Sequence, residues 1–263
     1  MHPIITSPHN PKIKNVLSLD KSRERNSQQV FLIEGMRELS LAVAGEYKLI
    51  TVFFCPDIVT SDELTLIVHD ENLLIPVERK VFEKMVYRES TTGVVAVAMQ
   101  KKHLLENVKL GPQPLVLIVE GVEKPGNLGA ILRTADAANL DAVIICETKT
   151  DFYNPNVIRS SVGCLFTMQT ASSTADLTHQ WLMKNKFRVF VTDLEASTPY
   201  YAMDYRGASA IVMGTEASGI SDLWRKHAHE KIIIPMRGKI DSMNVSNAAA
   251  VIVFEALRQR IIG

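Results

Sequence analysis

The chain has 263 residues, of which 46% are hydrophobic, and it carries 29 Lys plus Arg against 29 Asp plus Glu. This length is enough for one large core or two smaller ones. The zero net charge excludes a protein that coats nucleic acid through its overall field, so nucleic-acid binding would need a local basic patch. Three cysteines without metal or redox spacing, and no visible secretory or membrane-spanning segment, predict a soluble cytoplasmic protein.

The clearest local excess of basic side chains lies in the first 25 residues, where five basic residues stand against two acidic ones. On charge alone, this stretch is interpreted as a solvated arm. Its basic residues are Lys12, Lys14, Lys21, Arg23 and Arg25.

The rest of the first hundred residues predicts a small α/β domain. Helical spacing over Met36–Gly45 lies between two short apolar runs. The predicted strands are Phe31–Glu34, Leu49–Cys55 and Val94–Met99. The charged break over residues 101–113 predicts a linker between an N-terminal domain (1–100) and a C-terminal domain (114–263).

The second half alternates strands and helices more strongly. Its strands are continuous apolar runs, which is typical of a parallel sheet covered by helices on both faces. The predicted strands are Leu115–Val119, Ala142–Cys146, Arg188–Thr192, Ala210–Met213 and Lys231–Ile234.

The helix that follows Leu115–Val119 carries polar residues whose interpretation stays open. Asn127 is placed at the helix start, where its amide oxygen can cap backbone N–H groups. Arg133 lies about 140° around the helix from the apolar stripe that begins at Leu128. A capped helix with a solvated arginine, a Rossmann turn, and an arginine that reaches a site at the carboxyl edge of the sheet all remain possible, although Gly126–Gly129 lacks the dinucleotide glycine pattern.

Two later segments follow strands and contain unusual polar residues. Gly214 and Gly219 allow a tight turn, and Glu216 between them could bind either a ligand or nearby backbone N–H groups. Pro235 ends another strand. Ser246 or Asn247 is the expected N-cap of the final helix.

The final helix is apolar on more than one side. Ala250, Val253, Leu257 and Ile261 form one predicted face, and Val251 and Ile252 lie off it. A surface helix has a single apolar stripe, so this pattern indicates packing inside the subunit or against a partner subunit.

Together, three segments resemble the sequence motifs of the SpoU/TrmH RNA methyltransferases. In order they are Lys124–Gly129 through Arg133, then Ile211–Ile220, and finally Ile234–Gly238 through Ser242–Ala249. Asn154–Gly163 is similar to the segment between the family's first two motifs. The family usually has leucine where this chain has Met243.

The resemblance implies an α/β fold with a trefoil-knotted parallel-sheet domain, a smaller N-terminal domain similar to ribosomal protein L30e, and a homodimer through the knotted domain. It also implies S-adenosylmethionine as cofactor, RNA as substrate and no metal. The implied catalytic residues are Asn127, Arg133, Glu216, Ser242 and Asn244. The implied cofactor-binding residues are Thr192, Met213, Gly214, Glu216, Gly219, Ile234, Met236, Met243, Asn244 and Ser246. The RNA-binding candidates are Lys12, Lys14, Arg23, Arg25, Arg133 and Arg159.

The implied reaction is attack of a ribose 2′-hydroxyl on the methyl group of the cofactor. Arginine stays protonated in proteins, so we interpret Arg133 as stabilising alkoxide charge and gripping the adjacent phosphate, not as a plain general base. Ribosomal RNA is the favoured substrate and tRNA its rival. A non-catalytic RNA-binding module is a further alternative, as is a dinucleotide-dependent oxidoreductase. His227 and His229 lack the partners of a metal set.

Overall fold

The chain folds into two units, described by a computed structural model over residues 2–86, 93–147, 150–214 and 219–262. The first unit comprises Met1–Lys102 and Asp151–Thr167, and the second comprises His103–Thr150 and Met168–Gly263. Both units are of the expected α/β class. The chain thus returns to the first unit for one short segment, whereas the sequence predicted contiguous domains.

Helices and strands alternate along most of the chain. The helices are α1 Pro11–Ser18, α2 Ser22–Gln28, α3 Met36–Ala44, α4 Ser61–Thr65, α5 Arg79–Phe82, α6 Pro125–Ala137, α7 Pro155–Ser160, α8 Ala175–Lys184, α9 Asp222–His227 and α10 Val245–Ile262. The strands are β1 Val30–Glu34, β2 Leu49–Phe54, β3 Leu74–Pro76, β4 Val94–Met99, β5 Leu115–Glu120, β6 Ala142–Cys146, β7 Thr170–Ser173, β8 Arg188–Thr192, β9 Thr198–Pro199, β10 Ser209–Met213 and β11 Glu230–Ile233. Short 3-10 helices are Glu71–Leu73, Leu105–Asn107, Cys164–Phe166 and Tyr200–Ala202.

The N-terminal stretch is not a solvated arm, which corrects the prediction from charge. It forms α1 and α2, and Ile13, Val16 and Leu19 are buried in the core of the first unit. The side chain of Asn10 caps α1 by accepting a hydrogen bond from the backbone N–H of Lys12. The apolar residues at helical spacing, not the charges, decide this structure.

Arg25 is also corrected, because its side chain is only 1% exposed. Its guanidinium donates to the backbone oxygens of Leu19 and Asp20, and it donates to the carboxylate of Asp151 at 2.6 Å and 3.0 Å. A guanidinium with these partners is structural and is not free to contact RNA.

A cluster of aromatic rings also packs the segment Asp151–Thr167 into the first unit. Phe31 stacks on Tyr153 with ring centroids 4.3 Å apart. The ring centroid of Phe166 lies 5.8 Å from that of Phe31 and 5.1 Å from that of Tyr47. Burial raises the pKa of the Tyr153 hydroxyl, which donates to Tyr47 and accepts from the backbone of Lys101.

Each unit has its own sheet. The first has the order β1-β4-β2-β3, with β4 antiparallel to both neighbours. The second has the order β7-β6-β5-β10-β8-β11-β9, and every pairing in it is parallel. The predicted parallel sheet is therefore confirmed. The short and polar strands β7 and β9 at its edges were not predicted, because they lack an apolar run.

Residues 103–113, which the sequence assigns to a linker, pack on the second unit. Leu105, Val108 and Leu110 lie against its core. The backbone oxygen of His103 accepts a hydrogen bond from the N–H of Ser172 in β7. Apolar residues within a charged stretch are enough to order it.

The final helix α10 buries Val253 of the predicted apolar face together with Ile252, which lies off that face. Its buried residues are Val245, Ala249, Ile252, Val253 and Ala256. Phe254 and Ile261, by contrast, are 46% and 73% exposed. The sequence contains both apolar stripes, and only packing against α6 and the sheet decides which one faces inward.

Candidate functional site

A cavity of about 320 Å³ lies at the carboxyl edge of the seven-stranded sheet. It is formed after β8, β10 and β11 and by the residues that precede α10. Carboxyl ends of parallel strands meet at one edge of a sheet, and ligands of open α/β sheets bind there. The lining residues are Thr192, Asp193, Leu194, Glu195, Met213, Gly214, Gly219, Ile220, Arg225, Ile232, Ile233, Ile234, Met236, Asp241, Ser242, Met243, Val245 and Ala248.

The structure brings most of the predicted cofactor residues to this cavity. Those that line it are Thr192, Met213, Gly214, Gly219, Ile234, Met236 and Met243, together with Ser242 of the predicted catalytic set. Among the described residues, Asn244 and Ser246 do not line it, although both lie at the start of α10 beside Met243 and Val245. Glu216 falls outside the described residues.

The two predicted glycines, Gly214 and Gly219, lie in close contact after β10. A Cβ placed on Gly214 would overlap the backbone carbonyl group of Gly219, so no other residue fits there. Gly219 has a φ of +65°, a conformation that favours glycine.

Asn244, not Ser246 or Asn247, caps α10. Its side-chain oxygen accepts from the backbone N–H of Ser246 at 3.0 Å and from the Ser246 hydroxyl at 2.6 Å. A polar side chain one residue before the first helical position is the usual N-cap arrangement, and Val245 is that first position.

Asn127 also has a different role from the predicted cap. Helix α6 begins earlier, at Pro125, and Lys124 at the N-cap position makes no side-chain cap. The Oδ1 atom of Asn127 instead accepts a hydrogen bond from Nδ2 of Asn244 at 3.1 Å. This bond ties the first predicted motif to the third at the rim of the cavity.

Arg133 projects from the same helix and is exposed. It lies six residues after Asn127, which is about 9 Å along the helix axis. Arg133 is not among the described residues that line the cavity. The described structure therefore places Arg133 on the exposed side of α6 and outside the cavity lining.

Four charged residues of the cavity wall were missed by sequence reasoning. Asp193 and Glu195 follow β8 directly, so the carboxyl-edge rule that selected Thr192 could have found them. Asp241 lies beside Ser242, whose hydroxyl donates to it at 2.9 Å. Arg225 had no sequence signal, because it reaches the cavity from α9.

The RNA-binding candidates of the first unit differ in exposure. Lys12, Lys14 and Arg23 are exposed. Arg159 is half-buried on α7 and lines a groove of about 480 Å³ within the first unit. Arg25 is excluded by its burial.

The histidines form no metal site in the part of the chain that the structure describes, where no group of three metal-ligating side chains occurs. His227 is the last residue of α9, and its ring centroid lies 4.4 Å from that of His179. Burial, followed by the charge of His227, lowers the pKa of His179. Among the described residues, no helix is long and apolar enough to cross a membrane.

Comparison with known families agrees with this geometry. Residues 114–254 match the SpoU rRNA Methylase family, and residues 10–96 match the MRM3-like substrate binding domain. The first match covers more than half of the chain and includes all three motifs and the cavity. The chain belongs to the SpoU rRNA methylase family and is an RNA 2′-O-ribose methyltransferase that uses S-adenosylmethionine.

Particular relatives are similar over much of their length. The chain is 39% identical to the 23S rRNA (guanosine-2'-O-)-methyltransferase RlmB of Xylella fastidiosa over 173 residues, which is 63% of this chain and 68% of that protein. A crystal structure of an RNA 2'-O ribose methyltransferase is 34% identical, with a TM-score of 0.86 over 98% of this chain and 100% of the other. The AdoMet-bound rRNA methyltransferase of Sinorhizobium meliloti is 26% identical, with a TM-score of 0.89 over 97% of both chains.

Proposed function

We propose that this enzyme methylates a ribose of ribosomal RNA, with its cofactor in the cavity at the carboxyl edge of the seven-stranded sheet. The observation that carries the proposal is the convergence of the second and third motifs on this one cavity. The Asn127–Asn244 hydrogen bond adds the first motif to the same place. The name of the Xylella fastidiosa relative favours 23S rRNA as the substrate.

The residues of the cavity fit S-adenosylmethionine. Its volume lies within the roughly 300–1,000 Å³ that small-molecule sites occupy. Met213, Ile234 and Met243 offer apolar walls to an adenine ring. Glu195 offers a carboxylate to the cationic groups of the cofactor. When bound, the cofactor supplies a methyl group on a positively charged sulfur.

Arg133 is proposed to act on the ribose that receives the methyl group. Its exposed guanidinium can reach an RNA strand, where it would hold the phosphate and stabilise negative charge on the 2′-oxygen. Asn127 and Asn244 would orient this end of the site through their mutual hydrogen bond. Ser242 at the cavity wall and Glu216 complete the proposed set.

The first unit is proposed to bind RNA. Lys12, Lys14 and Arg23 are exposed there, and exposed cations attract the phosphate backbone. Arg159 is a further proposed phosphate contact. The match to a substrate binding domain over residues 10–96 supports this role. We further propose that this unit has a fold similar to ribosomal protein L30e.

The enzyme is further proposed to be a cytoplasmic homodimer with a trefoil knot in its second unit. An apolar stripe on the outward face of α10 supports the dimer. Along this stripe, half-buried Ala250 and Leu257 alternate with exposed Phe254 and Ile261. Such an exposed stripe next to a face that is already buried is typical of a subunit interface. The cytoplasm is the expected location because ribosomal RNA is the proposed substrate.

The proposal is tested by incubating the purified protein with methyl-labelled S-adenosylmethionine and unmodified RNA, followed by digestion to nucleosides. We expect label in 2′-O-methylnucleosides of the ribosomal RNA fraction. The Arg133→Ala variant should lose roughly 10²–10³ of the rate, as for other preorganised donors to a developing oxyanion. Arg206→Ala is the matched control, since Arg206 is an exposed arginine of the same unit that pairs with Asp204.

Each alternative has its own outcome in this experiment. Label only in the tRNA fraction would replace ribosomal RNA by tRNA as the substrate. Equal rates for Arg133→Ala and Arg206→Ala would remove Arg133 from the catalytic set. Sedimentation of the wild type and of Phe254→Glu tests the dimer, which the charge on the α10 stripe should dissociate.

A further inference from the structure

Two buried carboxylates lie beside the cavity on the strands that flank β10. Glu120 is the last residue of β5, and Asp193 directly follows β8; they are 7% and 8% exposed. The strand between them is followed by Gly214 and Gly219, which lie in close contact. A buried carboxylate is costly unless it is hydrogen-bonded, so the partners of these two residues show what each one holds.

Glu120 holds the chain just after Gly219. Its Oε2 accepts a hydrogen bond of 2.7 Å from the backbone N–H of Ser221, which lies two residues after Gly219. A charge-assisted bond to a backbone N–H fixes the main chain itself and does not depend on the identity of the side chain at Ser221.

Asp193 holds the same segment from the other side of β10. Its Oδ2 accepts from Nε of Arg225 at 3.3 Å, and its Oδ1 accepts from the backbone N–H of Glu195 at 3.1 Å. The side chain of Arg225 also covers Gly219, because a Cβ on that residue would lie 3.7 Å from its Nη2.

The segment held in this way is one wall of the cavity. Gly219, Ile220 and Arg225 all line it. Neither Glu120 nor Ser221 lines the cavity within the described part of the chain, so Glu120 acts on this wall only through the backbone. Asp193 holds the wall through Arg225 and also lines the cavity itself.

We propose that Glu120 and Asp193 are positioning residues. Through their hydrogen bonds they hold the cavity wall Gly219–Arg225 in the conformation that binds S-adenosylmethionine. The inference rests on the proposed placement of the cofactor in this cavity. Loss of the side chain of Glu120 or of Asp193 should therefore weaken cofactor binding. RNA binding, which is proposed for other surfaces, should stay unchanged.

Variants of Glu120 and Asp193 can separate loss of the hydrogen bond from loss of the charge. Glu120→Gln keeps an oxygen that can accept from Ser221, whereas Glu120→Ala removes the acceptor of the Ser221 N–H. Asp193→Asn keeps the side-chain volume but loses the charge that pairs with Arg225. Asp204→Asn is the control, because Asp204 forms an exposed ion pair with Arg206 in the same unit.

The experiment measures the dissociation constant of S-adenosylmethionine by calorimetry on each full-length variant, at a temperature where circular dichroism shows it folded. The steady-state KM values for S-adenosylmethionine and for RNA are measured alongside. We expect Glu120→Ala and Asp193→Asn to raise the cofactor Kd and KM about tenfold, the effect of one buried hydrogen bond. Glu120→Gln should restore most of the affinity, and the KM for RNA should not change.

A purely structural role would lower the melting temperature without separating the two KM values. Cofactor affinity within twofold of wild type in both folded variants would overturn the inference while the proposed function stands. Wild-type protein that fails to bind S-adenosylmethionine would instead overturn the proposed placement of the cofactor and the inference with it. If Glu120→Ala does not fold, Asp193→Asn and Arg225→Ala carry the same test.

Discussion

Buried charges are used differently in the two units of this molecule. In the first unit, Arg25 pairs with Asp151, which lies 126 residues away in the chain. That pair attaches a returning segment to the unit's own core. In the second unit, Glu120 and Asp193 lie at strand ends beside the cavity and hold one of its walls. Burial of a charge therefore serves stability in one unit and the shape of a site in the other.

The largest stability effect is expected in the first unit. Arg25→Met should destabilise it by about 3–5 kcal/mol, because the Asp151 carboxylate and two backbone oxygens lose their buried donor. Hydrogen exchange measures this locally. Protection should fall in peptides that cover α1, α2 and residues 155–166, while peptides of the seven-stranded sheet should change little.

The control is an exposed arginine–carboxylate ion pair of the first unit. Arg79→Met breaks the ion pair with Glu83, whose two side chains are both 58% exposed, and should cost less than about 1 kcal/mol. Equal losses of protection in Arg25→Met and Arg79→Met would show that burial does not decide how much an arginine–carboxylate pair stabilises this unit. A double variant Arg25→Met with Asp151→Leu should regain part of the lost stability, since it leaves no unpaired buried charge.

A smaller effect on stability is expected at Asn244, where two variants can separate the contribution to stability from the contribution to activity. Asn244 caps α10 with its oxygen and donates to Asn127 with its nitrogen. Asn244→Asp keeps the cap and loses the donor, whereas Asn244→Ala loses both. We expect only Asn244→Ala to lower stability, by about 1 kcal/mol, and both variants to lose activity.

Urea denaturation and the methylation rate check this pair of variants together. Asn127→Ala, which leaves the α10 cap intact, should match Asn244→Asp in both measurements. Full activity of Asn244→Asp would show that the hydrogen bond between the two amides does not matter for the reaction.

The smallest effect is a pH dependence at the surface of the second unit. His179 faces Trp224 and His227, with Asp176 and His229 also close enough to act on its charge. Burial and the charge of His227 lower its folded-state pKa, while Asp176 opposes them. The unfolded chain therefore binds this proton more readily than the folded one.

Stability should consequently fall as the pH drops below the usual histidine value of 6.5 and should be fully present above it. His179→Gln should flatten that loss. The melting temperatures at about pH 7.5 and about pH 5.5 check it, with exposed His9→Gln as control. A His179→Gln protein with the same acid sensitivity as wild type would contradict the expected role of this histidine.

Much of the site could be predicted from sequence because of how parallel strands end. Met213, Gly214 and Ile234 follow or terminate apolar runs, and such ends meet at one edge of the sheet. The same rule extends to Asp193 and Glu195, which sequence reasoning missed. Arg225 could not be predicted, because it comes from the middle of a helix and its direction depends on how α9 packs.

The errors have a common physical origin. Charge alone groups Arg25 with Lys12 and Lys14, and a sequence cannot show that Asp151, the partner of Arg25, lies beside it in the same unit. Nor does the sequence show which apolar side of α10 faces inward, since the helix is apolar on more than one side.

Local sequence patterns specify the family, the α/β class, the parallel second sheet and part of the cavity lining. These patterns are apolar runs, glycines where the chain must turn, and motifs in a fixed order. Long-range packing instead sets which charges are buried, which apolar side of α10 faces inward, and that residues 151–167 belong to the first unit. Those outcomes depend on contacts between residues far apart in the chain, and no local pattern records them.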